Sequence, residues 1–170
     1  IRRQGRAGEI WGVELVEEAA RKAQANPDLD RVLRGDISTI VAELPADYFT
    51  HIVAGDVLEH LVDPWSTLAA LRHSLRKDGR IVASMPNIRN FSFIARLLFG
   101  ASFKYKDSGV MDRTHLRFFA RKDIRALFES AGFAEIDIRQ ARPKRSPLSR
   151  LAKLAFGDLA IKVFLIRARR

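Results

Sequence analysis

Short apolar runs typical of buried strands alternate along the chain with runs of helical periodicity. Strands are predicted over residues 10–14, 31–36, 48–54, 81–85, 134–139 and 161–168. Helices are predicted over residues 16–25, 64–75, 91–99 and 121–130. This alternation is typical of an α/β fold built on a parallel sheet.

Two boundaries are marked by their residue types. Asp63 is predicted to cap the second predicted helix, with Pro64 at its first position, where proline is favoured. Residues 77–79 (Lys-Asp-Gly) predict a turn before the next strand. Residues 100–119 are predicted to form an irregular loop rich in polar and aromatic side chains.

Composition narrows the class of protein. The chain has 170 residues, about one domain, and no cysteine, which excludes disulfides, zinc–thiolate centres and cysteine nucleophiles. No apolar run approaches the ~18 residues of a membrane span, and no signal peptide is recognisable. The absence of cysteine does not fix the compartment, and the reducing cytoplasm is the default expectation.

Charge is concentrated at the C-terminal end. The net charge is +10, and residues 139–170 hold 10 basic residues and one acid, Asp158. A basic amphipathic segment is predicted over residues 143–158, with an apolar stripe and a cationic side (Leu148, Leu151, Leu154, Ala155; Arg145, Arg150, Lys153). It is expected either to dock on the domain or to make peripheral contact with an anionic membrane.

Three predicted strands end in a carboxylate: Glu14, Asp36 and Asp56. Ligands of open parallel sheets bind beyond the carboxyl ends of the strands. Glu14 suits the two hydroxyls of a ribose, Asp36 and Ile37 suit an adenine edge and face, and Asp56 suits a cationic or amino group. Each acid could instead cap a helix.

Several segments resemble class I S-adenosylmethionine-dependent methyltransferases. They are residues 11–14 (Trp-Gly-Val-Glu), 35–37 (Gly-Asp-Ile), 55–61 (Gly-Asp-Val-Leu-Glu-His-Leu) and 76–81 (Arg-Lys-Asp-Gly-Arg-Ile). Residues 85–87 (Met-Pro-Asn) and 112–119 (Asp-Arg-Thr-His-Leu-Arg-Phe-Phe) are similar to the branch that includes ubiquinone-biosynthesis O-methyltransferases. The resemblance implies a Rossmann-like, mostly parallel sheet with an antiparallel C-terminal strand, and S-adenosylmethionine as cofactor at Glu14, Asp36, Ile37 and Asp56.

The chain departs from that family at its beginning. The family's first strand and glycine-rich loop have no counterpart before Trp11, and the first residue is Ile1 rather than methionine. The expectation is one incomplete domain over residues 1–170, truncated at its N-terminus and binding the cofactor weakly by itself.

Asp56, Glu59 and His60 follow the third predicted strand at spacings that share one face of a helical turn. Together with His115 they form a plausible divalent-metal set, because imidazoles and carboxylates are suitable ligands. His115 and His60 are also the candidate catalytic residues facing the acceptor, since a histidine can remove a hydroxyl proton near neutral pH. The alternative is that Glu59 and His60 only shape the pocket floor and cap the turn.

The predicted function is methyl transfer to a small-molecule, lipid-precursor or saccharide acceptor, most simply to oxygen. Residues 90–119 would build the acceptor pocket, with Tyr105, Phe118 and Phe119 as candidate lining. A non-catalytic Rossmann-like binding module remains the alternative. A dinucleotide enzyme would need a Tyr-x-x-x-Lys pair, and a nucleic-acid methyltransferase an Asn-Pro-Pro-Tyr-like motif; neither is found, so no nucleic-acid partner is expected.

Overall fold

The computed structural model describes residues 5, 8–141, 151 and 154–170. The chain divides into two compact units, Ile1–Pro45 and Ala46–Arg170. Most of the predicted basic segment, including Leu148, Arg150 and Lys153, lies outside the described residues. Within it, residues 151 and 154–156 are helical.

The first unit holds a two-stranded parallel sheet. Strand β1 (Trp11–Glu14) pairs with β2 (Arg31–Arg34), so that the two strands end side by side. Helix α1 (Glu17–Gln24) connects them and carries ion pairs one turn apart, Glu17 with Arg21 and Glu18 with Lys22. The short helix α2 (Ile37–Ile40) and a 3₁₀ turn (Val41–Glu43) follow, and neither was predicted.

The second unit holds a four-stranded sheet in the order β3-β4-β6-β5. Its strands are β3 (Phe49–Gly55), β4 (Leu75–Pro86), β5 (Ala134–Gln140) and β6 (Val163–Arg169). Strands β3 and β4 are parallel, whereas β6 is antiparallel to both β4 and β5. The α/β class with an antiparallel C-terminal strand is thus confirmed.

Three helices belong to this unit: α3 (Pro64–Ser74), α4 (Phe91–Phe99) and α5 (Arg121–Ser130). As predicted, Asp63 caps α3 by accepting a hydrogen bond from the Ser66 amide, and Pro64 opens the helix. The core lies between the helices and the two central strands. Its fully buried side chains come from α3, α5, β4 and β6 (Leu68, Leu75, Ile81, Met85, Ile124, Phe128, Phe164, Ile166).

The predicted turn at residues 77–79 does not interrupt the chain as a separate loop. Strand β4 runs continuously from Leu75, and the residues between Leu75 and Arg80 form a bulge against β3. Gly79 is required there, because a Cβ would lie 2.8 Å from the carbonyl oxygen of Arg76. Residues 77–79 were therefore correctly predicted to distort the chain, but they form a bulge within β4 rather than a separate turn.

Two buried asparagines tie the end of β4 to the segment before β6. Asn87 donates to the carbonyls of Asp158 and Ile161, and Asn90 donates to those of Leu159 and Ile161. Asn90 also caps α4 through the Ser92 amide. The start of α4 is thereby fixed against the 3₁₀ turn Gly157–Ala160.

No helix in the described ranges combines the length and apolar character needed to cross a bilayer.

Candidate functional site

A short 3₁₀ turn after β3 carries the two central side chains of the site. The turn spans Leu58–His60, and Leu58 and Glu59 are buried in it. Asp56 precedes it in a left-handed conformation with φ of 51°, which is uncommon for a residue with a side chain. The chain therefore bends sharply at the end of β3, and Glu59 and His60 lie in the turn that follows.

The loop that follows α4 brings a second imidazole to the turn. The ring centroids of His60 and His115 lie 4.7 Å apart, edge to face. The Nδ1 atom of His60 lies 3.1 Å from the Thr114 carbonyl, and that of His115 lies 3.0 Å from the Val110 carbonyl. Because a carbonyl can only accept, both Nδ1 atoms donate, and in the neutral tautomer that these bonds define each Nε2 atom presents a lone pair.

Backbone hydrogen bonds hold this loop against the turn. The Glu59 carbonyl accepts from the amides of Leu116 and Arg117. The Asp112 carboxylate accepts from the Thr114 amide and hydroxyl, and these bonds hold its pKa below the usual range. The positions of both histidines are consequently fixed by the main chain around them.

The Glu59 carboxyl group is buried without a hydrogen-bond partner. Its side chain is 1% exposed, and neither oxygen is bonded within the described part of the chain. Burial raises the pKa of Glu59 to about 7, and the negative charge of Asp56 adds to the rise. A buried acid with both oxygens unsatisfied needs a proton or a cation.

Glu59, His60 and His115 offer ligand atoms that all lie within 4.8 Å of one another. One carboxylate and two imidazoles held in this way can bind a divalent cation, or can accept and release a proton. The structure therefore brings together three of the four residues predicted as metal ligands.

Asp56, the fourth predicted ligand, is bonded elsewhere. Its carboxylate accepts from the Ser84 hydroxyl at 2.8 Å, and its amide donates to the same hydroxyl at 3.0 Å and to the Ser84 carbonyl at 3.2 Å. Ser84 lies on the neighbouring strand β4 and was not singled out from the sequence. No local pattern could have identified it, because the contact depends on the pairing of β3 with β4.

The other predicted cofactor residues lie in the first unit. Glu14 ends β1 opposite Arg34, and its carboxylate accepts from the Val16 amide. Asp36 follows β2 and caps α2 by accepting from the Ser38 amide, and Ile37 opens that helix. Both acids thus lie at the carboxyl edge of the two-stranded sheet. Each of these hydrogen bonds uses one oxygen of its carboxylate, and only that of Asp36 caps a helix.

The three aromatic residues predicted to line the acceptor pocket lie in different environments. Phe119 is buried and its ring lies 6.2 Å from that of Trp65, whereas Phe118 is half-buried with its ring 6.4 Å from His115. Tyr105 is exposed and packs against Phe103. Of these three aromatic residues, Phe118 is the one that contacts the histidine pair.

Comparison with known families identifies the class of protein. Residues 1–137 match the model of a methyltransferase domain family, and the chain belongs to that family. The prediction of a S-adenosylmethionine-dependent methyltransferase is thereby confirmed. No curated protein gives a significant match.

Solved structures agree in fold. A SAM-dependent methyltransferase from Thermotoga maritima superposes with a TM-score of 0.68 at 20% identity, covering 94% of this chain and 72% of that one. A S-adenosylmethionine-dependent methyltransferase from Mesorhizobium loti also gives 0.68, at 18% identity, covering 99% and 83%. One from Archaeoglobus fulgidus gives 0.58, at 15% identity, covering 96% and 87%. At such identities the likeness shows the fold alone.

Proposed function

We propose that the enzyme transfers the methyl group of S-adenosylmethionine to an oxygen of a small molecule, a lipid precursor or a saccharide. Glu59, His60 and His115 would serve the acceptor. The observation that carries this proposal is the convergence of their ligand atoms within 4.8 Å. A lipid precursor is included because residues 85–87 and 112–119 resemble the ubiquinone-biosynthesis branch. The proposed location is the cytoplasm, the default for a chain without cysteine.

The donor set fits a divalent metal ion. Two imidazole nitrogens and an unsatisfied buried carboxylate would supply nitrogen and oxygen ligands, which suit zinc, manganese, iron or nickel. The carbonyls that accept from both Nδ1 atoms support this proposal, because metal-binding histidines commonly donate their other ring nitrogen to such an acceptor. A bound ion would also compensate the buried charge of Glu59.

A metal ion held by Glu59, His60 and His115 would assist methylation of an oxygen. The bond from sulfur to the methyl carbon breaks as the bond from carbon to oxygen forms, and the electron pair of the broken bond stays on sulfur. The acceptor hydroxyl must also lose its proton, which passes to water. A bound metal would supply Lewis acidity that lowers the pKa of that hydroxyl. The side chains of Glu59, His60 and His115 would orient the acceptor, and the buried Leu58 and Glu59 would limit access of water from below.

The cofactor would be held at the strand ends. We assign the ribose to Glu14, the adenine to Asp36 and Ile37, and the amino group of the methionine part to Asp56. Ser84 and the left-handed backbone of Asp56 fix the direction of that last carboxylate.

Transfer of labelled methyl groups from S-adenosylmethionine to a panel of phenolic, lipid-precursor and saccharide acceptors tests this proposal. We expect O-methylated product that disappears on chelation and returns with added metal. His115→Ala should lower kcat/KM about a hundredfold or more, whereas His73→Ala, an exposed control on α3, should leave it unchanged.

Two outcomes would contradict the proposal. Activity that survives chelation but is lost in His115→Ala would show a metal-free general base. Product methylated only on nitrogen or carbon would overturn the assignment to oxygen.

A further inference from the structure

The solvent-facing side of α4 is apolar. Phe91, Leu98 and Phe99 are 53%, 68% and 87% exposed, whereas Phe93 on the opposite side is buried. A surface helix normally turns charged and polar residues to water. The only charged residue of α4 is Arg96, which packs against the Phe93 ring on the inner side. The exposed face thus leaves large apolar side chains in water.

A second segment extends this face. The rings of Phe91 and Phe156 lie 5.8 Å apart, and Phe156 is also exposed. Leu154, two residues earlier, is 85% exposed. We call Phe91, Leu98, Phe99, Leu154 and Phe156 the apolar patch.

The two segments that carry the patch are fixed together. Asn87 and Asn90 at the start of α4 donate to three carbonyls of residues 158–161, immediately after Phe156. Patch residues are therefore presented by a preformed surface, which reduces the ordering cost of binding.

The sequence around the patch carries almost no negative charge. Residues 87–106, which contain α4 and its flanks, hold four basic residues and no acid, and residues 139–170 carry a net charge of +9 in the sequence. In the second of these ranges, Arg169 and Arg170 are ion-paired with Asp78, Glu135 and Asp47. The one acid of the latter segment, Asp158, is paired with Arg121. An apolar surface within basic segments is complementary to an anionic lipid surface.

A second copy of the chain is a poorer occupant. A two-fold contact places the same surface on both copies, so basic segments would face basic segments. Like charges brought together in this way oppose association.

We propose that the apolar patch inserts into the interface of an anionic membrane while the basic side chains of residues 87–106 contact the lipid headgroups. The proposed attachment is peripheral, because the patch is one face of the nine-residue helix α4 together with the segment beside it. The proposal does not depend on the nature of the methyl acceptor.

The absence of cysteine makes insertion directly measurable on the whole chain. Leu98→Cys is labelled with an environment-sensitive fluorophore and mixed with vesicles of phosphatidylcholine plus phosphatidylglycerol. A blue shift is expected with these vesicles and not with phosphatidylcholine alone. Leu15→Cys is the matched control, because Leu15 is 65% exposed and does not belong to the apolar patch; its probe should not shift.

Vesicle flotation of an unlabelled variant is the second measurement. The double variant Leu98→Asp and Phe99→Asp should bind anionic vesicles at least about tenfold more weakly, because two apolar side chains are replaced by charges that the lipid repels. Leu15→Asp should bind like the unmodified chain. Binding of the unmodified chain should weaken as salt concentration rises.

Three results would overturn the proposal. They are failure to bind anionic vesicles at low salt, equal binding to neutral vesicles, and wild-type binding by the double variant. Sedimentation velocity tests whether a second copy of the chain occupies the patch instead. If the unmodified chain is a dimer and the double variant is a monomer, the patch is a contact between copies.

Discussion

At the scale of single residues, Glu59 is notable because its carboxyl group is removed from water. Its carboxyl group is buried and has neither a hydrogen-bond donor nor a charge partner in the described part of the chain. The sequence predicted Glu59 as a ligand from its spacing to His60, but spacing carries no information about burial. Burial depends on the packing of Leu58 and on the loop that covers the turn.

Replacement of Glu59 should change how stability depends on pH in the metal-free protein. The folded pKa of about 7 lies above the model value of 4.5, so ionisation of Glu59 opposes folding. The stability associated with its protonated form is complete below pH 4.5 and is lost as the pH rises through about 7. The loss amounts to roughly 3 kcal/mol, since each unit of pKa corresponds to about 1.4 kcal/mol.

Urea unfolding in the presence of a chelator at several pH values measures this effect. Glu59→Gln cannot ionise, so its free energy of unfolding should lack the decrease that the unmodified chain shows over this range. The substitution changes no other ionisable group, and the difference between the two curves therefore isolates Glu59. Parallel curves would contradict the prediction.

Ser84 is expected to position Asp56. Its hydroxyl both donates to the Asp56 carboxylate and accepts from the Asp56 amide. Ser84→Ala should raise the KM for S-adenosylmethionine more than it lowers kcat, and should cost about 1 kcal/mol of stability. Ser130→Ala is the control, because that hydroxyl bonds only to a carbonyl of its own helix. Steady-state kinetics with equal KM values for both variants would show that Ser84 has no positioning role.

At the scale of secondary structure, the sequence identified elements where the signals are local. Helix α5 (Arg121–Ser130) was predicted with the bounds that it has, because its apolar residues recur at helical spacing and its buried face consists of Ile124, Leu127 and Phe128. The bulge in β4 was predicted as a turn, because Gly79 indicates a distortion of the backbone. Residue type alone does not show that the residues around Gly79 pair with β3. Helix α2 was missed because four residues are too few to show a period.

The asparagine pair at the start of α4 provides an element-scale prediction. Asn87→Ala removes two donated hydrogen bonds and leaves the buried carbonyl of Ile161 with fewer partners. The variant should lose about 2–3 kcal/mol of unfolding free energy. Asn26→Ala, in an exposed turn, should change it by well under 1 kcal/mol. Denaturant unfolding of both variants checks this, and equal losses would show that the buried pair contributes nothing specific.

At the scale of the whole molecule, the two units differ in how much they bury. Among the described residues of the first unit, the buried apolar side chains are Ala20, Ile40 and Val41, and its sheet has two strands. Two-stranded sheets are marginally stable, whereas the two central strands of the second unit carry fully buried side chains, including Ile81, Met85, Phe164 and Ile166. Stability should therefore be uneven along the chain.

Hydrogen exchange followed by mass spectrometry should detect this difference. Amides of β1 and β2 are expected to exchange well before those of β4 and β6. S-adenosylmethionine should slow exchange at β1 and β2, because Glu14 and Asp36 lie at their carboxyl ends. Equal protection of both sheets would contradict the first expectation, and unchanged exchange with bound cofactor would contradict the assignment of those acids.

The central claim is that Glu59, His60 and His115 form one metal centre in a methyltransferase. Titration of the metal-free chain with Co²⁺, followed by its visible absorption, tests this claim most directly, because the spectrum reports nitrogen and oxygen ligation. We expect one ion per chain, bound at least about tenfold more weakly after His60→Ala or His115→Ala and unchanged after His51→Ala. An absent spectrum, or equal binding by all three variants, would contradict the account.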